Sequence, residues 1–130
     1  MPAPPQIVQL LEEFSREVAV RNLDDSIELF DLTAEVVIVG SEEGYGAKGS
    51  DDVRGFFERL YSRDVTFSWD WSEIKGGQSD TVSWGFAEGH EIVKRQEDSK
   101  RVPYRMSIVA REIGKRWRIV LLRGSEPVPD

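Results

Sequence analysis

Residues 65–72 read VTFSWDWS, in which Val65, Phe67, Trp69 and Trp71 alternate with Thr66, Ser68, Asp70 and Ser72. Side chains of an extended chain point alternately to opposite sides, so this period of two marks a strand with one apolar face. Gly76-Gly77 follows and predicts a turn. Alternation then resumes. Val82, Trp84 and Phe86 fall on one parity and Ser83, Gly85 and Ala87 on the other, with the strand continuing through Glu88 and His90 to Val93. Residues 94–100 (KRQEDSK) read as a polar connection. A third strand spans Tyr104 to Glu112, with Met106, Ile108 and Ala110 on one face. Gly114 turns the chain, and Trp117 to Arg123 forms the last strand. Four long strands joined by short turns predict an antiparallel sheet.

Upstream of residue 65 the period is different. Ile7, Leu10, Leu11, Phe14 and Val18 recur at steps of three and four, the apolar stripe of a helix, and Pro5 suits its first turn. Asp25 and Glu28 resemble a capping pattern for a short second helix through Ile27, Leu29 and Phe30. Residues 34–39 (AEVVIV) form a β-branched run suited to a strand. Glycines 40, 44, 46 and 49 then punctuate a loop or irregular hairpin. Ser50 is placed to cap a third helix through Val53, Phe56, Phe57, Leu60 and Tyr61. The fold class is therefore α+β, with helices on one face of a sheet that must twist and curl. A curled sheet with helices resting in it leaves a concave space at its open end, the usual place for a ligand.

The chain has 130 residues and is expected to form a single domain over 1–130, with residues 1–5 and 125–130 as extended tails. It carries no cysteine, which excludes disulfides and thiolate chemistry and fits a cytoplasmic location. A net charge of −7 disfavours nucleic acid and anionic membrane surfaces as partners. No segment reads as a membrane span or secretory signal. The single histidine, His90, rules out a multi-histidine metal site, so neither metal nor cofactor is expected. The glycine-rich SEEGYG stretch (41–46) is acidic and lacks the Lys-Ser/Thr ending of a phosphate loop.

Four stretches carry a resemblance over residues 6–128: EVVIVGSEEG (35–44), the helix VRGFFERLYSR (53–63) with VTFSWDW (65–71), PYRMSIVAREIGKRW (103–117), and the closing WRIVLLRGSEPVP (117–129). Together they resemble the nuclear transport factor 2-like superfamily and, within it, the SnoaL-like (polyketide-cyclase-like) proteins. The resemblance implies a cone-shaped, cystatin-like fold: three N-terminal helices packed on a curved, mostly antiparallel sheet that encloses a pocket. Such folds serve isomerases, dehydratases, cyclases, assembly modules and binding domains alike. The resemblance places an arginine in the pocket at position 105. At position 123 arginine stands where related sequences often carry histidine before a Gly-Ser pair, so that histidine's role does not carry over.

His90 and Asp70 are the candidate catalytic groups: His90 shares strand parity with Trp84 and Phe86, and Asp70 sits between two tryptophans. By the same parity Asp70 faces away from Trp69 and Trp71, as a surface acid would. Arg105, Tyr104, Trp69, Trp71, Trp84, Phe86 and Arg123 are the candidate ligand-binding residues, combining aromatic walls with guanidinium and phenol anchors. Each has a plain structural alternative: Arg105 paired with Glu88, Asp70 or Glu112, and the tryptophans filling the core or a dimer interface. Three functions stay open: a pocket for a small, planar or anionic organic molecule; a cofactor-free enzyme moving protons next to a carbonyl; or an assembly module. A homodimer through the sheet face is the expected assembly.

Overall fold

The computed structural model describes residues 2–129. Helix α1 (Pro5–Ala19) and the short α2 (Leu23–Glu28) lead into strand β1 (Val37–Val39) and strand β2 (Gly46–Lys48). A single 3-10 turn (Ser50–Asp52) opens α3 (Val53–Tyr61), and the four long strands follow: β3 (Thr66–Ser79), β4 (Val82–Arg95), β5 (Asp98–Ile113) and β6 (Arg116–Ser125). They form one curved, open sheet in the order β2-β1-β6-β5-β4-β3. All neighbours are antiparallel except β1 and β6, which run parallel. The three expected helices are present, but only α1 and α2 precede the sheet in sequence; α3 follows the first hairpin.

The core lies between the helices and one face of the sheet. Ile7, Leu11, Phe14 and Val18 of α1 and Val53, Phe56 and Phe57 of α3 meet Ala87, Met106, Ile108, Ala110, Ile119 and Leu122. Near the sheet edge Asp31, 1% exposed, accepts hydrogen bonds from Thr33 and the Arg111 guanidinium, fastening the α2–β1 connection to β5. Burial alone would raise the Asp31 pKa; these bonds and the arginine charge outweigh it and hold the carboxyl below its usual range.

Several expectations need correction. Gly76-Gly77 is not a turn: β3 runs through it, and the chain reverses at Asp80-Thr81, where Asp80 adopts φ 54°. The two glycines instead permit close approach of β4, since a Cβ on Gly77 would lie 2.7 Å from the Trp84 indole. The polar stretch 94–100 is not a loop either; β4 and β5 extend through it to a tight turn at Gln96-Glu97. Asn22, not Asp25, caps α2, its side chain accepting from the Asp25 N–H at 3.1 Å. Ser50 makes no capping bond to α3.

The largest correction concerns β4. The parity carrying Trp84 and Phe86 faces outward, at 43% and 41% exposure, while Ser83, Gly85 and Ala87 are buried. The cause is α1. A Cβ on Gly85 would stand 2.5 Å from Ile7 Cγ2, so the helix rests where only small residues fit. Gly85→Val is therefore expected to destabilise the fold by about 1–3 kcal/mol, read from the urea midpoint at unchanged m-value. An unchanged midpoint would show that α1 does not press on β4.

Candidate functional site

Between α1, α3 and the inner face of the sheet lies a cavity of about 70 Å³. That is several times the space one ordered water needs, and the cavity opens at the surface. Its mouth is marked by the exposed Val39, Ser41 and Glu42 at the start of the β1–β2 loop. Most of the wall is apolar: Phe14 from α1, Phe56 and Leu60 from α3, Ile38, Met106 and Leu122 from the sheet. The polar groups are Glu91, Tyr104, Arg63, Glu42 and Ser41.

Glu91 is the unusual member. The register of β3 and β4 sets it directly opposite Trp69, both facing inward. It is only 6% exposed and forms no ion pair among the described residues. Burial, then the charges of Glu126 and Glu42, push its carboxyl up to about 7, against weaker opposition from Arg63 and the Trp69 indole. A carboxyl poised there exchanges protons at neutral pH, the property asked of a general acid or base.

Tyr104 reaches the same wall from β5. Its hydroxyl packs on Gly124, where a Cβ would come within 2.0 Å of the phenol oxygen, so only glycine leaves it room. Burial, aided by the charges of Glu91, Glu126 and Glu42, drives the phenol well above its usual range; Tyr104 stays a neutral hydrogen-bond donor. Trp69 is fixed by α1. Its backbone N–H donates to Ser15 Oγ at 2.9 Å, and the Ser15 hydroxyl donates to its carbonyl at 3.2 Å. The indole N–H groups of Trp69 and Trp71 are buried without a well-formed hydrogen bond. Such orphaned donors are uncommon in folded proteins.

Arg63, from the α3–β3 turn, closes the mouth. Its guanidinium lies 5.0 Å from the Tyr45 ring centre and 5.5 Å from that of Phe67, and it pairs with Glu42 at 3.1 Å.

The structure thus brings Trp69 and Tyr104 to the cavity. Trp71 faces inward against Tyr104, with ring centres 6.5 Å apart, but does not line the cavity. The remaining candidates lie on the opposite face of the sheet. Asp70 and His90 are cross-strand neighbours there, and Asp70 pairs with Arg101 at 3.2 Å. Arg105 pairs with Glu88 at 3.4 Å, and Arg123 is exposed opposite Ser107. Trp84 and Phe86 share that outer face. Gly85 and Ala87 are committed to α1, so the parity of β4 that carries Trp84, Phe86 and His90 faces outward, and Arg105, paired with Glu88, lies on the same face. Glu91, Arg63 and Glu42 were missed. Glu91 could have been found by counting β4 from its small residues, because Ser83, Gly85, Ala87 and Glu91 share one parity. No three His, Cys, Asp or Glu side chains converge on a metal position among the described residues.

A model of the SnoaL-like domain family matches residues 7–129. No match is found among curated proteins. Solved structures share the fold. A nuclear transport factor 2-like superfamily protein from Salmonella enterica serovar Typhimurium superposes with a TM-score of 0.78 at 14% identity, over 95% of this chain and 89% of that one. A candidate scytalone dehydratase from Novosphingobium aromaticivorans gives 0.79 at 13% identity, over 95% and 83%. A candidate aromatic ring hydroxylase from the same organism gives 0.80 at 16% identity, over 95% and 88%. At these identities the likeness is one of fold.

The Glu91 environment predicts a pH dependence of stability. The folded carboxyl titrates at about 7 and the free side chain at 4.5, so the folded state holds the proton more tightly. This contribution is fully present below 4.5 and is lost as pH rises through 7. Glu91→Gln should remove the loss: in urea unfolding at pH 8 the variant should be the more stable protein, and at pH 4 the difference should vanish. A variant less stable than wild type at pH 8 would mean the carboxylate is paired in the fold.

Proposed function

The chain belongs to the SnoaL-like domain family, and on that premise we propose that it binds a small organic molecule in the α1–α3–sheet cavity. The guest packs its body against Phe14, Phe56, Met106 and Leu122 and offers a polar group to Glu91 and Tyr104. One observation carries this reading: a buried, unpaired carboxyl faces an apolar cavity that opens at the surface. Burial of a charge without a partner is costly, and sites that tolerate it are commonly functional.

A second reading adds a reaction. With its proton exchanged near neutrality, Glu91 is suited to take a proton from carbon next to a carbonyl. The Tyr104 hydroxyl on the same wall would then hydrogen-bond the developing oxyanion.

One NMR experiment tests both. A panel of small ketones, phenols, amines and carboxylates is titrated against the amide spectrum. Saturable shifts confined to the segments around Glu91, Tyr104, Met106 and Leu122 are expected. Shifts confined to the outer sheet face, or none, would overturn the binding reading. For a bound ketone, deuterium uptake at the α-carbon should fall by about 100-fold or more in Glu91→Gln. Unchanged uptake would leave binding and remove catalysis.

We also propose a homodimer through the outer sheet face, where Val82, Trp84 and Phe86 are 40–43% exposed. Exposed aromatic clusters of this kind favour association. Sedimentation velocity at micromolar concentration should show a dimer for the wild type and a monomer for Trp84→Glu/Phe86→Glu. A monomeric wild type would remove the proposal.

A further inference from the structure

The charges around the cavity narrow the class of guest, given the reading that the cavity binds a small molecule. Among the described residues Arg63 is its only cationic lining residue, and that charge is already committed to Glu42 at 3.1 Å and to the Tyr45 and Phe67 rings. Glu91 has no such partner and is 6% exposed. Glu126, from the tail after β6, and Glu42, from the β1–β2 loop, add negative potential at Glu91. Tyr104 is neutral. An entering carboxylate or phenolate would therefore meet Glu91 with the field of Glu126 behind it, while Arg63 and Glu42 offset each other. This arrangement favours a cation over the anionic ligand expected from the sequence.

A cation meets the reverse. Phe14, Phe67, Trp69 and Tyr104 present aromatic rings to the cavity, and ring faces attract cations most strongly where water is excluded. The protein already uses this attraction at the mouth, in the stacking of Arg63 on Tyr45 and Phe67. A compact alkylated ammonium suits an apolar wall, because its methyl groups need no hydrogen bonds and the rest of the guest can extend through the mouth. Glu91 then supplies the counter-charge, and the guest supplies the partner that Glu91 lacks within the fold.

We infer that the cavity is a site for a small organic cation, a protonated or quaternary amine held between the aromatic walls and Glu91.

Three isosteric probes test this by isothermal titration: choline, the neutral 3,3-dimethylbutan-1-ol and the anionic 3,3-dimethylbutanoate. At pH 8 choline should bind at least 10-fold tighter than the alcohol, and the carboxylate should bind weakest. Glu91→Gln should lower choline affinity at least 10-fold and lower that of the alcohol by less. Choline keeps its charge at every pH. Its affinity should therefore rise from pH 6 to pH 8 as Glu91 ionises against Glu42, Glu126 and the paired Arg63, and by more than that of the alcohol. The alcohol binding as tightly as choline, or Glu91→Gln retaining choline, would overturn the inference and keep the pocket. Binding of none of the three up to tens of millimolar would overturn both.

Discussion

The structure depends on how closely α1 lies on β4. Helix α1 is amphipathic, with Ile7, Leu11, Phe14 and Val18 along one side, and it must bury that side against the sheet. Contact at Gly85 admits no side chain, and Ser83 and Ala87 beside it are small. Along this contact bulky residues of β4 have only the outer face left, which is why Trp84 and Phe86 are exposed. The inner surface of β4 becomes a floor on which the helix can rest. Where α1 passes beyond this floor, at Phe14 and Ser15, β3 supplies Trp69, and the Ser15 hydroxyl ties helix to strand through the Trp69 backbone.

That geometry produces the site. Strand β4 keeps its alternation from Ser83 to Glu91, so the parity that faces α1 at one end faces the cavity at the other. Glu91 is buried because of where it sits on the strand, opposite Trp69. The aromatic residues around it come from separate elements: Phe14 from α1, Phe67 and Trp69 from β3, Tyr104 from β5. Gly124 on β6 is as much a part of the site as any of them, since its missing side chain seats the Tyr104 hydroxyl. The carboxyl remains in this setting at a cost to stability above its titration range.

Charge is distributed unevenly between the faces of the sheet. Acids and bases on the outer face meet as pairs across strands, Asp70 with Arg101 and Glu88 with Arg105, and are well solvated. Exposed pairs of this kind add little to stability and need no ligand. Inside, the Arg63–Glu42 pair guards the mouth and Glu91 stands alone behind it. His90 and the strand arginines are therefore on the outer face. The chemically distinctive group is an ordinary glutamate made unusual by its surroundings.

Periodicity alone determined a good deal. The switch from steps of three and four to steps of two located the helices and the long strands, and together they required helices on one face of an antiparallel sheet. The quoted segments were sufficient to indicate the family. Strand limits were less legible at Gly76-Gly77 and at residues 94–100, because glycine and polar residues signal turns unless a neighbouring strand is there to pair with them. Only the tertiary structure decided which side of β4 faces in. Alternation is symmetric between the two faces, and the tie is broken by the distance of approach of α1, a contact between residues 7 and 85. The sequence carries each partner of that contact but not their meeting, and with it went the identity of the buried acid.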